Sequence, residues 1–487
     1  MPQSQPPQIS RIEEVVLLVP KEARPLLLEA YNFASGVLTS QKRVGGGSYI
    51  EHIVATGLHL ARWHQSPNVI AAGLLHSVVS DNRVSVEEVK HKFGKEIAEL
   101  VNGSLHLINL HYRGMSKHAE DLRRFFVALS RDLRVIFITF AHRLDEMRSI
   151  STRPEIDQRR IALETMEIYA PLANRLGMGQ LKTQYEVLAF PILYPTEYKR
   201  ALALMKKSEA ETNKNLEKIY RSLRKLFAKE HIEIISADHR RKNIYSLYKK
   251  LAKNDWEIDN ISDLLALRII TKNVEDCYKI LGLIHSKYKP VGGKVKDYIA
   301  SPKPNGYKSV HTTIYTGAGT MAEVQIRTKE MHNEAEHGVA AHIAYEEGNK
   351  PQSGGRWSAK LAWVRELINL TRDREDDKEF IKSIELDFFK SRIFVFTPVG
   401  EVIELPEGAS VLDFAFAIHT DLGRHAKAAI INGKYSAIDT VLMGGETIRV
   451  ETAKNTEPHH KWLGATKTSL ARKQIRAHIS KKIKAKS

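Results

Sequence analysis

Two acidic residues beside predicted β-strands constrain the fold of this chain more than any other feature. Asp263 precedes a nearly continuous apolar run at residues 264–270, which is typical of a strand covered on both faces. Polar and apolar residues alternate from Glu323 onward, so Glu323, Gln325 and Arg327 share one face of a second strand. If the strands are neighbours, both carboxylates reach one Mg²⁺, an ion commonly bound by one or two carboxylates and substrate phosphates. The alternative is a pair of solvated acids at strand ends.

The loop between the two acidic residues is rich in lysine and turn-forming residues. Lys296 and Lys303 place cations near the same site, and Asn305-Gly306 is a turn signal in which glycine lets a ligand approach the backbone. Tyr307 follows this turn, where its ring could stack on a nucleobase or pack in a core, the commoner fate of a tyrosine. Carboxylates, cations and an aromatic ring around one loop indicate nucleotide chemistry.

A basic cluster at residues 239–243 precedes an amphipathic run that predicts a helix from about residue 244. Cations, backbone N–H groups and the positive end of the helix dipole would then meet at one point, which favours an anion. The alternative is a solvated charged face.

Together these segments resemble the synthetase domain of the RelA/SpoT homologue family. The motifs that carry the resemblance stand in family order: R-x-K-N-I-Y-S-L-Y-K-K, D-L-L-A-L-R, K-x-K-D-Y-I-A-x-P-K-P-N-G-Y-x-S-x-H-T-T, E-V-Q-I-R-T and M-H-N-E-A-E-H-G-V-A-A-H. The resemblance implies an α/β nucleotidyltransferase-like domain with a mixed β-sheet. It also implies a GTP diphosphokinase of the stringent response, which transfers the β,γ-pyrophosphate of ATP to the 3′-hydroxyl of GDP or GTP and makes (p)ppGpp.

The same resemblance implies roles for individual residues. Asp263 and Glu323 would bind Mg²⁺, and Glu323 would also activate the 3′-hydroxyl. The residues implied for ATP are Arg240 and Arg268 on the adenine side, with Lys242, Asn243, Ser246 and Lys250 near the phosphates. The residues implied for GDP or GTP are Tyr307, stacked on guanine, with Lys296, Lys303, Asn305, His311 and Gln325 around it.

Two features of these motifs bear on activity. Asn243 stands where the family usually has histidine, and because an amide donates to phosphate without carrying a charge, we expect tuning rather than loss of activity. The acceptor loop K-V-K-D resembles that of bifunctional members more than the acidic loop of synthetase-only members. This resemblance implies that GTP is accepted at least as well as GDP.

The N-terminal half, from about residue 48 to residue 150, resembles the all-α HD-type hydrolase domain of the same family. The family pattern around Mn²⁺ is His, then His-Asp, then a later Asp. The matching residues of this chain are His52, then His76-Ser77, then His142, so both carboxylate positions are changed. The resemblance therefore implies a degenerate hydrolase site.

Further substitutions weaken this hydrolase-like site. Ser80-Asp81 stands where the family usually has Glu-Asp, which removes a candidate water activator. Mn²⁺ favours carboxylate and water oxygens, whereas imidazole suits zinc and related ions. We therefore expect no Mn²⁺ here and a retained helical scaffold without hydrolysis. The alternative is that the three histidines form a catalytic zinc arrangement.

The order of the segments predicts a multidomain α and α+β protein, in which a long amphipathic helix spans about 197–230. The predicted regions are a disordered N-terminus (1–20), an HD-like helical domain (21–155), a central helical bundle (156–200), the synthetase domain (201–347), a linker with helices near 358–372 and 377–389 (348–389), a TGS domain (390–452) and a basic tail (453–487). The TGS assignment is a resemblance to a small β-grasp module, and a hairpin turning at residues 398–400 supports it.

The C-terminal part carries the predicted RNA contacts. His419 matches the TGS position that the resemblance places at a tRNA 3′ end, and the alternative is a core or surface histidine at a helix end. Of the formal net charge of +17, residues 454–487 hold ten lysines and arginines against one acid. Such a tail suits phosphate backbones, or else a disordered solubilising end. The expected partners are therefore ATP, GDP or GTP, and tRNA or the ribosome.

Length and composition set the remaining bounds. At 487 residues the chain is long enough for several domains, and its single cysteine, Cys277, excludes a disulfide framework. Because no apolar segment predicts a signal peptide or a membrane span, we expect a cytoplasmic protein without a membrane partner. The leading functional hypothesis is (p)ppGpp synthesis. The alternatives are a bifunctional synthetase and hydrolase with a rebuilt metal site, and a non-catalytic regulator that binds tRNA or the ribosome.

Overall fold

A computed structural model describes residues 12–39, 43, 47–80, 83–108, 132–258, 261, 265–303, 305–316, 321–338, 392–453 and 455–484. These residues fall into two compact units, one ending at residue 338 and the other starting at residue 392. The helices predicted near 358–372 and 377–389 lie outside them. Within the described part, no helix is long and apolar enough to cross a bilayer.

The first unit begins with a helical layer. Its helices are α1 (Ile12–Leu17), α2 (Arg24–Leu38), α3 (Tyr49–Arg62), α4 (Pro67–Ser80), α5 (Val86–Phe93), α6 (Lys95–Ile108) and α7 (Val135–Arg148). Residues 69–79 of α4 are all buried, as expected of a helix that is apolar on every side, and α4 packs against α2, α3 and α6. Since Ile12 and Val15 of α1 are buried, the predicted N-terminal disorder does not extend to them.

Three further helices complete the helical layer: α8 (Glu155–Glu164), α9 (Ala170–Arg175) and α10 (Gly179–Leu193), with a π-helical turn between α8 and α9. A buried ion network ties them to α7. Arg143 of α7 lies 2.9 Å from Glu164 and 3.1 Å from Glu146, and it also donates to the Tyr169 hydroxyl at 3.3 Å. Because a buried charge is tolerated only when it is paired, Glu146 and Glu164 together offset the buried charge of Arg143.

A mixed five-stranded sheet completes the first unit, as the resemblance implied. Its elements are α11 (Pro195–Lys229), β1 (Ser236–Arg241), α12 (Ile244–Lys253), β2 (Leu265–Thr271), α13 (Val274–Lys287), β3 (Lys296–Asp297), β4 (Val310–Tyr315), β5 (Met321–Thr328) and α14 (Lys329–His337). The strand order is β1-β2-β5-β4-β3, in which β2 and β5 are parallel and the other neighbours antiparallel. α11 corresponds to the long helix predicted at about 197–230.

The two faces of this sheet differ in polarity. Leu267, Val324 and Ile326 point into an apolar core built with residues of α11 and α13. On the opposite face, Glu323 lies beside Ala266 in the register of β2 and β5. β2, which Asp263 precedes in the sequence, is thus a direct neighbour of β5, which carries Glu323. Ala266, Leu267, Ile269 and Ile270 are all buried, as predicted for a strand covered on both faces, while Arg268 on the polar face is partly exposed.

The second unit is built on a β-hairpin. Its elements are β6 (Arg392–Phe396), β7 (Val402–Pro406), α15 (Val411–Ile418), α16 (Thr420–Arg424), β8 (Ala426–Ile431), β9 (Lys434–Ser436), β10 (Ile448–Thr452), α17 (His460–Ala465) and α18 (Ser469–Lys484). β6 pairs with β7 as predicted, and a parallel bridge between Phe396 and Thr447 joins this hairpin to the sheet β10-β8-β9. α15 packs on the strands, which is the β-grasp arrangement implied by the TGS resemblance.

The basic tail is largely helical and packs on this module. Trp462 of α17 and Ile475 of α18 belong to one apolar cluster with residues of α15. Buried Asp413 of α15 accepts from the backbone N–H groups of Lys467 at 3.0 Å and Thr468 at 2.7 Å. The alternative of a disordered solubilising end is therefore wrong for residues 460–484.

Candidate active site

The polar face of the first unit's sheet opens onto a cleft of about 510 Å³. The start of α12, the loop after β3, β5 and α14 line it from the synthetase-like part, and the turn between α9 and α10 lines it from the helical layer. The predicted nucleotide-binding residues that line this cleft are Lys242, Asn243, Ser246, Arg268, Lys303, Asn305, Tyr307, His311, Glu323 and Gln325. The fold thus gathers residues that are more than 80 positions apart in sequence.

Glu323 is joined to Tyr307 through His311. His311 Nδ1 lies 2.8 Å from a carboxylate oxygen of Glu323, and His311 Nε2 lies 2.9 Å from the Tyr307 hydroxyl. Gln325 Nε2 donates to the same Glu323 oxygen at 3.2 Å. Because both nitrogens of the imidazole are engaged, His311 holds the carboxylate and the tyrosine in a fixed relation.

The loop that carries Tyr307 turns at the glycine expected from the sequence. Gly306 has φ of +80° and donates its N–H to Lys303 O at 2.8 Å, and Asn305 Oδ1 accepts from Tyr307 N at 3.2 Å. This turn also touches the helical layer, where a Cβ added to Gly177 would lie 2.9 Å from Asn305 O. Glycine at residue 177 therefore permits the close approach that shapes this wall of the cleft.

Asn243 forms the N-cap of α12. Its Oδ1 accepts from Ser246 N at 2.6 Å, and its Nδ2 donates at 3.0 Å to Glu186 of α10, a buried carboxylate that Lys249 also contacts at 3.3 Å. The amide predicted to donate to phosphate is thus engaged within the protein. Its contact with Glu186 sets the position of the helix start that lines the cleft with Lys242.

Arg268 is held between two carboxylates that the sequence did not single out. It donates to Asp238 through Nε at 3.0 Å and Nη2 at 2.8 Å, and to Glu336 through Nη1 at 3.2 Å. Arg327 also contacts Glu336 at 3.1 Å. Burial acts to lower the pKa of Arg268, but the hydrogen bonds that it donates to Asp238, together with the charges of Asp238 and Glu336, raise that pKa. Glu336 lies in the M-H-N-E-A-E-H motif, a signal that could have indicated it.

Four predicted residues are not placed in the cleft. Lys250 of α12 and Lys296 of β3 do not belong to its lining, and Lys296 is exposed opposite His311 in the sheet register. The backbone of Arg240 pairs with β2, but its side chain is not described. Asp263 lies outside the described residues.

A second polar cluster is buried in the helical layer. His52 of α3, His76 of α4 and His142 of α7 bring three ring nitrogens together. The distances are 3.1 Å between the Nε2 atoms of His52 and His76, and 3.0 Å from each of these atoms to His142 Nδ1. The Ser77 hydroxyl lies 3.1 Å from His76 Nε2. The predicted degenerate hydrolase site is thus a compact histidine cluster.

Asp145 belongs to this cluster and was missed by the sequence argument. Its carboxylate accepts from His52 Nδ1 at 2.6 Å and lies 3.1 Å from Arg43 Nη1. Burial acts to raise the pKa of Asp145, but the hydrogen bond from His52 and the neighbouring charge of Arg43 together lower it. The signal was the spacing from His142, because residues three apart on a helix lie on one face.

Burial keeps the histidines of the cluster neutral. It lowers the pKa of His76 to about 3, and it lowers the pKa values of His52 and His142 as well. Two other residues predicted at this site cannot be placed in the cluster, since the side chain of Ser80 and the whole of Asp81 lie outside the description.

In the second unit, His419 is exposed and caps α16, where its Nδ1 accepts from Asp421 N at 3.2 Å. It is therefore a surface histidine at a helix start. Lys473 and Arg476 of α18 are also exposed, whereas Ala471 and Ile475 of the same helix face the apolar cluster.

Three family descriptions match the chain. Residues 239–350 match the region found in RelA / SpoT proteins, residues 30–179 match the HD domain, and residues 393–452 match the TGS domain. Their order agrees with the order of the helical layer, the sheet with its cleft, and the β-grasp unit.

Similar proteins carry names for both synthesis and hydrolysis. A probable guanosine-3′,5′-bis(diphosphate) 3′-pyrophosphohydrolase from Synechocystis is 38% identical over 93% of this chain and 60% of its own length. A GTP pyrophosphokinase from Myxococcus xanthus is 37% identical over 100% of this chain and 64% of its own length. The solved small alarmone synthetase 2 from Bacillus subtilis is 25% identical over 34% of this chain and 98% of its own, with a TM-score of 0.25. The chain thus spans less than two thirds of the length of these two curated relatives.

Proposed function

Because the chain belongs to the RelA/SpoT family, we propose that its cleft transfers the β,γ-pyrophosphate of ATP to the 3′-hydroxyl of GDP or GTP. The observation that carries this proposal is the chain of contacts from Glu323 through His311 to Tyr307 in a cleft lined by Lys242, Arg268 and other cations. A carboxylate, an aromatic ring and several cations in one space fit a nucleoside that accepts a polyphosphate.

Glu323 is the proposed proton acceptor. The attacking 3′-hydroxyl needs a base within hydrogen-bond reach, and a carboxylate beside it suffices. His311 and Gln325 both contact one oxygen of Glu323, which fixes the orientation of the carboxylate. Holding the base in place lowers the entropic part of the barrier.

Glu323 and Asp263 are the proposed ligands of Mg²⁺. Carboxylate oxygens match the preference of this ion, and Asp263 lies three residues before Ala266, which pairs with Glu323. When bound, Mg²⁺ would offset the negative charge that gathers on the transferred group. We assign the two acids to one metal because Asp263 lies two residues before β2 in the sequence, and β2 pairs in parallel with β5.

The start of α12 is the proposed site of the ATP phosphates. Lys242 and Ser246 line the cleft there, and the positive end of the helix dipole adds to the charge of Lys242. Arg268, with its orientation set by Asp238 and Glu336, would lie against adenine together with Arg240. Asn243 would act indirectly, by fixing the position of the start of α12, because its amide is already hydrogen-bonded to Ser246 N and Glu186.

Tyr307 is the proposed platform for guanine. Its hydroxyl is anchored on His311, and Lys303 Nζ lies 5.1 Å from its ring centroid. Lys303 and Asn305 on the same loop would contact the acceptor nucleotide. The K-V-K-D sequence of residues 294–297 supports the proposal that GTP serves at least as well as GDP.

We also propose that the helical layer has lost Mn²⁺-dependent (p)ppGpp hydrolysis. Imidazole nitrogens meet where the resemblance implies carboxylate ligands, and Ser77 contributes only a neutral hydroxyl. This donor set does not fit Mn²⁺, which favours oxygen ligands.

For the second unit we propose RNA contact through backbone charge. Exposed Lys473 and Arg476 lie on a helix that is packed against the β-grasp module, so they form part of a fixed surface. His419, exposed on the same module, would add a local contact to a tRNA end.

The test of the synthetase proposal is a product assay. Purified chain is incubated with Mg²⁺, γ-labelled ATP and GDP or GTP, and the nucleotides are separated. Label in ppGpp or pppGpp is expected from the wild type and from Glu330→Gln, an exposed control on α14. No labelled product from a folded wild-type chain would overturn the proposal.

A further inference from the structure

We propose that His52, His76 and His142 bind one zinc-class cation, with Asp145 as the carboxylate that orients His52. The proposal goes beyond the reaction assigned to the cleft and does not depend on it. The Mn²⁺ implied by the family does not fit this donor set, and the disagreement points to a metal that prefers nitrogen.

The geometry of the three nitrogens suits a small dication. Their separations are 3.0–3.1 Å. A tetrahedral zinc ion with Zn–N bonds of about 2.0–2.1 Å places its nitrogen ligands about 3.3–3.4 Å apart. Widening the cluster by a few tenths of an ångström would therefore admit the ion. The ligands come from α3, α4 and α7, so the ion would cross-link three helices of the layer.

Protonation states favour a cation over a purely hydrogen-bonded cluster. His52 Nδ1 faces the Asp145 carboxylate at 2.6 Å, and His76 Nδ1 faces the backbone carbonyl of Gly73 at 2.7 Å. Both partners are acceptors only, so each Nδ1 carries the proton of its neutral ring. The two Nε2 atoms then meet at 3.1 Å with lone pairs and no proton between them. His142 and the Ser77 hydroxyl can each donate one hydrogen to these atoms, but neither places a proton between them, whereas a shared cation binds all three nitrogens.

The surroundings resemble those of a metal site in a second respect. A histidine that ligates a metal usually donates its other N–H to a carboxylate or a carbonyl, which fixes the tautomer and raises basicity. His52 makes the first kind of contact and His76 the second. Arg43 in turn holds Asp145 at 3.1 Å. Both orienting contacts are therefore already in place.

Ligand chemistry selects the class of metal. Three imidazoles suit zinc and its neighbours, whereas Mn²⁺ favours carboxylate and water. The Ser77 hydroxyl lies 3.1 Å from His76 Nε2. The fourth position of the metal would therefore be taken by this hydroxyl or by a water. The site thus has the three-nitrogen composition of known zinc centres.

The test is a metal titration of the full chain after removal of bound metal with a chelator. Zn²⁺ alone and Mn²⁺ alone are titrated by calorimetry, and bound metal is counted by elemental analysis. We expect one zinc site that is lost in His76→Gln, and a preference for Zn²⁺ over Mn²⁺ of roughly 100-fold or more. Co²⁺ should give the intense visible absorption of a tetrahedral site.

A second variant keeps the test decisive if His76→Gln does not fold. Asp145→Asn preserves volume and should weaken Zn²⁺ binding by roughly 10- to 100-fold, because the orienting carboxylate loses its charge. His59→Gln is the matched control, since it changes another buried histidine of α3 outside the cluster and should leave the affinity unchanged.

Two results would overturn the proposal. One is a Zn²⁺ affinity that is the same in wild type, His76→Gln and Asp145→Asn, because the ion would then bind elsewhere, for example at His459 and His460, which are adjacent in the sequence. The other is a wild-type chain that takes up no Zn²⁺ or binds Mn²⁺ equally well.

Discussion

The cleft and the histidine cluster lie in the same unit, but the cleft is lined by charged side chains whereas the cluster brings neutral imidazoles together. In the cleft, ionic groups such as Arg268 and Glu323 are partly exposed and face partners of opposite charge or imidazole. In the cluster, burial keeps His76 neutral, and the carboxylate of Asp145 lies on the outer side of the ligands. These environments agree with the polyphosphate and Mg²⁺ proposed for the cleft and with the nitrogen-preferring metal proposed for the cluster.

The largest expected effect concerns the cleft. Glu323→Gln removes the proposed base and one metal ligand at almost constant volume, so pyrophosphate transfer should fall by roughly 10²- to 10⁴-fold. Asp263→Asn should lower the transfer rate in the same way, because it removes the other proposed metal ligand. Steady-state rates of both are compared with Glu330→Gln, and a rate near wild type in either variant would remove that residue from the mechanism.

Removal of zinc should separate the two sites. If the cluster holds zinc, a chelator selective for it should lower the melting temperature of the first unit, since a ligand that binds only the folded state stabilises it. With Mg²⁺ in excess, transfer measured well below that temperature should persist. Loss of transfer that added Zn²⁺ restores, without any change in melting, would place the zinc in the cleft instead.

Tyr307 offers a graded test of nucleotide recognition. Tyr307→Ala should weaken GDP and GTP binding by roughly 5- to 150-fold, the range expected for loss of base stacking at about 1–3 kcal/mol. Tyr307→Phe retains the ring and loses only the hydroxyl contact with His311, so its KM should stay closer to wild type. Equal effects of the two variants on KM would argue against stacking.

The second unit supplies a smaller effect. Lys473→Gln with Arg476→Gln should make the slope of log affinity against log salt for single-stranded RNA shallower by about 1.4, at about 0.7 per lost phosphate contact. Lys206→Gln with Lys207→Gln on α11 is the control of equal charge. His419→Ala should reduce any preference for a free tRNA 3′ end and leave the slope unchanged. If the wild type shows no salt-dependent binding, this module has another partner.

The last prediction concerns a pH dependence in the helical layer. Burial lowers the pKa of His59 to about 3, with Arg148 and Arg62 acting in the same direction and Asp145 against them. The folded state then binds fewer protons than the unfolded state between about pH 3 and 6.5, so stability is lost as pH falls through this window. His59→Gln should reduce the slope of the unfolding free energy against pH by up to roughly 1.4 kcal/mol per pH unit, as measured in unfolding titrations. An unchanged slope would show that His59 is protonated in the folded chain.

Most of the cleft residues were predicted through the resemblance to the RelA/SpoT family, and strand periodicity placed Glu323 and Gln325 on one face. Glu323 and Gln325 alternate with core residues, and parallel pairing sets them beside Ala266 and Arg268. The loop turn at Gly306 was readable for the same local reason. Asp238 could not be read this way, since its contact with Arg268 depends on the register of β1 against β2.

The histidine cluster was only half predictable. The family pattern indicated His52, His76 and His142, but their distances depend on how α3, α4 and α7 pack. Asp145 was not predicted, because it matches no metal-binding position of the family pattern and is indicated only by the helix face that it shares with His142. The helical tail was missed because its apolar residues, Trp462 and Ile475, are few among many cations, and only the surface of α15 shows what they cover.

The most direct test of the contrast between cleft and cluster measures both directions of (p)ppGpp chemistry on one preparation. With Mg²⁺, ATP and GTP the full chain should form pppGpp, and with Mn²⁺ or Zn²⁺ it should release no pyrophosphate from ppGpp at a useful rate. The account would be contradicted by metal-dependent hydrolysis that His76→Ala abolishes, together with pppGpp synthesis that is absent or is unchanged in Glu323→Gln.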